Sequence, residues 1–131
     1  PKGHSLTRAE KVHFRETLTY PYVGLHDGST LLEFLKKEVS EYGQTLPLRI
    51  QVYGFEAACR MIEAGVGIGV ISESSALRYQ KTMQLEIVAL QDAWATRERS
   101  VVVREFESLP EAAKSLIREI RNHHHYAGEP R

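Results

Sequence analysis

Short apolar runs separated by stretches of helical periodicity leave this chain few ways to fold. "YVGL" (22–25), "LRIQV" (48–52) and "GIGVI" (67–71) are each about as long as a buried strand. Between the first two, Leu31, Leu32, Phe34, Leu35 and Val39 recur at helical spacing and stop at Gly43. Between the second and third, Phe55, Ala58, Cys59 and Ile62 lie three or four apart and stop at Gly65. Strand, helix, strand, helix, strand predicts an α/β domain with a mostly parallel sheet. Runs this apolar suit a sheet with helices on both faces. Further along, "SESSALRYQ" (72–80) reads as a short helix or turn. "LEIVAL" (85–90) and "RSVVVREF" (99–106) read as two more strands around a loop at Trp94.

Glycines at alternate positions in "AGVGIGVI" (64–71) raise the question of a phosphate cradle. A dinucleotide fingerprint needs its glycines after a strand and at the start of a helix, where backbone N–H groups face the phosphates. Here the helix comes first and the strand second, and there is no Walker-type Lys-Ser or Lys-Thr pair. The expectation is therefore structural: Gly65 as a helix C-cap with positive φ, Gly67 and Gly69 in a tight turn with close backbone packing.

Other classes are disfavoured on simple grounds. Seventeen basic residues balance seventeen acidic ones, whereas a free-standing nucleic-acid binder carries a basic excess. No apolar run approaches a membrane span, and the polar start lacks a secretory-type apolar stretch. The lone Cys59 cannot make an internal disulfide, which suits a reducing cytoplasm. It lies on the apolar side of its helix and reads as core. His123, His124 and His125 sit in an expected polar tail (123–131), where neighbouring histidines do not preorganise a metal site. No nucleophile–base or paired-carboxylate constellation is apparent, so neither an enzyme, a cofactor nor a metal is expected.

"IQVYGFEAACRMIEAGVGIGVISESSA" resembles the second half of the effector-binding domain of LysR-type transcriptional regulators. "GHSLTRAEKVHFRETLTYPYVGL", "LQDAWATRERSVVVRE" and "LPEAAKSLIREI" are similar to the family's entering segment, returning strand and closing helix. The order and spacing hold over residues 1–122. Ser5 and Ser72 stand where the family often has proline, and Gly54 where it often has serine or threonine.

The resemblance implies a Rossmann-like subdomain of a type-2 periplasmic-binding-protein-like effector domain, a mostly parallel sheet with flanking helices. The second subdomain would span about 15–98, and the returning strand and closing helix of the first about 99–122. The winged helix-turn-helix and the rest of the first subdomain would lie outside these residues. In the closing helix, Leu109, Ala112, Ala113, Leu116, Ile117 and Ile120 form an apolar stripe that needs a sheet to cover it. The expectation is packing in an unusual place or on a neighbouring molecule.

Ligands of open α/β sheets sit at the carboxyl ends of strands, which selects the loops 26–30 and 53–56. The resemblance places an effector there, with His26, Asp27, Gly28, Ser29, Thr30, Tyr53, Gly54 and Phe55 as candidates and Ile71 and Ser72 nearby. Each loop precedes a helix, so free N–H groups and the positive dipole end favour a carboxylate or other anion. The same residue types also cap helices, and Asp27 and Glu56 oppose an anion. The implied partners are a small-molecule effector such as an organic acid, DNA through the helix-turn-helix, and further copies in a homodimer or homotetramer of a bacterial, cytoplasmic regulator. The dimer contact would involve about 30–42 and 48–52. A solute-binding protein of a transport system with the same fold is the alternative.

Overall fold

The structure, a computed structural model, describes residues 1–97 and 100–125. They divide into two compact units, Pro1–Ala95 and the chain from Thr96 onward. In the first unit the elements run β1 (Lys11–Val12), α1 (Phe14–Thr17), β2 (Tyr22–Leu25), α2 (Thr30–Glu41), β3 (Leu48–Val52), α3 (Phe55–Glu63), α4 (Glu73–Gln80) and β4 (Ala89–Leu90). The second unit contains α5 (Glu111–His125).

The centre is β2. It pairs in parallel with β3, with Val23 opposite Ile50, Gly24 opposite Gln51 and Leu25 opposite Val52. Successive side chains of a strand point to opposite faces, and β2 uses this to join two layers. Tyr22 enters a cluster with Phe14, Leu32, Leu35, Val39 and Leu46. Val23 enters another with Ala58, Cys59, Ile62, Met83 and Leu85. So α2 covers one side and α3 the other, and the helical spacing of their apolar residues has a direct structural counterpart. Cys59 is fully buried within α3, and that burial pushes its thiol pKa up.

Helix ends follow local chemistry. Ser29 caps α2, its side chain accepting from the Leu32 N–H at 3.4 Å. Gly65, with φ +78°, reverses the chain after α3. Gly67 brings its backbone so close to Pro21 that an added Cβ would strike the Pro21 carbonyl oxygen. A Cβ on Gly69 would come within 2.9 Å of the Ile62 side chain.

Three expected strands are shorter or missing. The run 67–71 makes only one bridge, Ile68 opposite Tyr22, through Val23 N–H to Ile68 O at 2.7 Å and Ile68 N–H to Pro21 O at 2.9 Å. Beyond it residues 69–72 lead into α4, and no second ladder continues among the described residues. The run 85–90 contributes only β4, which pairs in parallel with β1, Lys11 opposite Ala89 and Val12 opposite Leu90. In 99–106 no described residue is in a strand, and Val102 is 89% exposed. Apolar β-branched residues make a strand only where a partner edge accepts their backbone hydrogen bonds, and none of the described residues offers one to Val101, Val102 or Val103.

In the second unit, Lys114 bridges back to Glu107 at 3.6 Å and lies over the Phe106 ring. Along α5, Ile117 is buried while Leu116 and Ile120 are exposed, Leu116 by 62%. The helix continues through His125, and the remainder of the polar tail expected from residue 123, residues 126–131, lies outside the described residues.

Tyr22 supplies a pH-dependent term. Its hydroxyl is hydrogen-bonded to Thr17, and burial pushes its pKa up to about 12, the Thr17 bond opposing and Asp92 adding to the rise. The unfolded phenol ionises near its ordinary value of about 10. The folded state holds the proton longer, so the stabilisation is full below pH ~10. It is lost as pH rises from about 10 through about 12, a fall of roughly 2–3 kcal/mol. Urea unfolding across this range should show that decline in the native chain and a flatter profile in Tyr22→Phe. Equal slopes would remove the assignment.

Candidate functional site

The parallel register sets Leu25 beside Val52, so the loops that leave β2 and β3 emerge side by side. The His26 ring stacks on Tyr53, with centroids 4.6 Å apart and planes 16° from parallel. Tyr53 is 82% exposed and forms the outer plate. The Nδ1 atom of His26 is buried and has no hydrogen-bond partner among the described residues.

Asp27 turns to one side of this pair. Its Oδ1 accepts from Gln51 Nε2 at 2.9 Å and from Lys36 Nζ at 3.2 Å. The Gln51 bond first, then the Lys36 ammonium, hold its carboxyl below the usual carboxylate range. Gln51 Nε2 also donates to the Leu25 carbonyl at 3.1 Å. Asp27 is therefore already partnered. Neither Gln51 nor Lys36 was indicated by the sequence: an exposed strand glutamine and a helix lysine carry no signal until the register places them beside the loop.

The remaining candidates divide by role. Gly28 takes φ +87° and lets the loop turn into α2. Ser29 is buried and spends its hydroxyl on the helix cap, while Thr30 is exposed at the first position of α2. Gly54 stands at the N-cap of α3 with φ +81° and ψ 158°, a region open almost only to glycine. No side chain caps this helix, so its first N–H groups remain available, with Glu56 in the first turn opposing an anion there. Phe55 is half-buried. Ile71 packs on the α3-side cluster together with Leu25 and Val52. Ser72 precedes α4 and donates to the Ser75 hydroxyl at 2.9 Å, which engages it within its own helical turn.

A small apolar cavity lies between sheet and helices, bordered by Gly24, Leu25, Leu32, Ala58, Ile62 and Ile71. Its volume of about 10 Å³ is room for no more than a water molecule, so it is a packing gap. The candidate site is instead an open shelf: the His26–Tyr53 plates, beside the uncapped start of α3. Such a shelf can stack a flat or cyclic ligand body and accept an anionic group at the helix end. Among the described residues, no cluster of three or more metal-ligating side chains occurs, and no helix is long and apolar enough to cross a membrane.

Residues 1–124 match the family described as the LysR substrate binding domain. Among solved structures, the chain is similar to one titled "Effector binding domain of QuiR in complex with shikimate", with a TM-score of 0.60 and 17% sequence identity. The alignment covers 69% of this chain and 42% of that one. At this identity the likeness shows the fold alone, and the LysR substrate binding domain has an α/β fold of periplasmic-binding-protein type. Comparison with curated proteins gave no match.

Proposed function

Since the chain belongs to the LysR substrate-binding domain family, we propose that it senses a small organic acid for a transcriptional regulator. The observation that carries this reading is the stacked His26–Tyr53 pair beside the uncapped N-terminus of α3. An aromatic plate, adjacent backbone donors and a paired Asp27 suit a carboxylate on a compact ring. The QuiR domain is described with shikimate, a ligand of that chemistry, and shikimate is the probe of choice here.

In this reading the effector is gripped against a second subdomain, in a cytoplasmic bacterial regulator that acts on DNA through its helix-turn-helix. The population of subdomain orientations shifts by the effector's differential affinity for them. The α2–β3 face, where Ile50 is exposed, is the surface for association into dimers or tetramers. Catalysis has no part in this reading. A transport solute-binding role is not favoured by the family match.

Titration of the isotope-labelled chain with millimolar shikimate, followed by amide NMR, tests the site. Shifts should concentrate at residues 26–30 and 53–56, and shikimate methyl ester should bind more weakly. Tyr53→Ala should weaken binding about fivefold, the worth of one aromatic contact. Shifts that are absent, or that fall elsewhere, would refute this location.

A further inference from the structure

We propose that Asp27, Gln51 and Lys36 form a clasp that holds the loop after β2 against β3 and α2, and that through it the α2–β3 surface sets the position of the His26–Tyr53 pair. The function of that pair rests on the effector reading above; the clasp itself does not.

The geometry is specific. Asp27 is the residue next to His26, so whatever fixes its carboxylate fixes the backbone that carries the ring. One oxygen, Oδ1, accepts from β3 through Gln51 at 2.9 Å and from α2 through Lys36 at 3.2 Å. Gln51 uses the same nitrogen to bind the Leu25 carbonyl at 3.1 Å, so it ties the loop at both sides of His26. Lys36 also lies 3.7 Å from Glu33, which orients its ammonium on the helix surface. Around Asp27 the charged and titratable groups are thus Lys36, Glu33 and His26, with Gln51 as neutral donor.

Each contact alone is weak, as exposed pairs are. Their common acceptor is what makes them a device: removal of either donor frees one side of the same carboxylate. Both donors sit on α2 and β3, and Gln51 follows the exposed Ile50 on its strand. Asp27 is therefore a positioning residue, acting through its neighbour's ring.

Three NMR readouts on the full chain, without ligand, test this. In Gln51→Ala and in Lys36→Met, amide exchange at residues 27–29 should rise about fivefold, the worth of one net hydrogen bond. The His26 ring-proton shifts should move as stacking on Tyr53 is lost. The Asp27 carboxyl titration should move up toward the ordinary carboxylate value. Lys36→Arg should restore all three, and far-UV circular dichroism should remain native in every variant. Unchanged exchange, ring shifts and Asp27 titration in both variants would overturn the clasp. If these changes occur while shikimate fails to bind, the clasp is supported and the effector reading alone falls.

Discussion

Phe14→Ala should cost about 3–5 kcal/mol, the range for a large aromatic removed from a close-packed core. Phe14 is fully buried. Its ring meets Tyr22 edge-on at 6.3 Å and Trp94 at 5.3 Å, and its backbone N–H is held by the Asp92 carboxylate at 2.7 Å. One side chain thus joins α1, the central strand and the turn after β4. Native domains have only about 5–15 kcal/mol in total, so the loss removes a large part of the margin. Trp94 is the sole tryptophan and packs on both Phe14 and Phe34, which makes its fluorescence a direct probe. The urea midpoint should fall steeply, and native emission should shift to longer wavelength as water reaches the indole. A loss below about 1 kcal/mol, the scale of a surface substitution, would mean that Phe14 is not a keystone.

Gly67→Ala is the second large effect. The added methyl would meet the Pro21 carbonyl oxygen and carbon, with the Tyr22 amide nitrogen close behind. All three are backbone atoms, and Pro21 also supplies the carbonyl that receives the Ile68 N–H. The methyl therefore pushes on the same hydrogen bonds that fasten 67–68 to the edge of β2. Overpacking of this kind costs about 2–3 kcal/mol. Gly43→Ala provides the control: a Cβ there meets nothing within 4 Å, and the cost is only that of φ +68° for an L-residue, about 1 kcal/mol. Chemical denaturation should rank Gly67→Ala well below Gly43→Ala. The reverse order would show that the strand edge and Pro21 can move apart cheaply.

How much of this was legible in the sequence depends on the range of the interaction. The α2 and α3 stripes and the glycines that end them are local, and residues 31–43 and 55–65 read accordingly. Strand 22–25 and strand 48–52 read correctly because they pair with each other and because the helices that cover the two faces of β2 lie within the unit. "GIGVI" and "RSVVVREF" have the composition of strands, but a strand is a relation to another backbone. The first finds a partner at one residue, and the described part of the second finds none. The candidate site shows the same division. Loops at strand ends could be selected by rule, and Gly28 and Gly54 fell within them, though the turns they make with positive φ show only in the structure. The His26–Tyr53 stack needed the parallel register that sets residue 25 beside residue 52. Gln51 and Lys36 needed it too, and nothing in their own identities sets them apart.

Cys59, buried under the helix that starts at the shelf, turns the protein into its own clock. It is the single thiol of the chain and has no exposure in the folded state, so a thiol reagent can reach it only when the packing of α3 against β2 and residues 83–85 opens. Under fast reclosing, the labelling rate reports the free energy of that opening. A ligand bound at the first turn of α3 would slow the reaction in proportion to its occupancy. One unmodified residue thereby offers a reading of ligand affinity and local stability together, with no dye, tag or second protein.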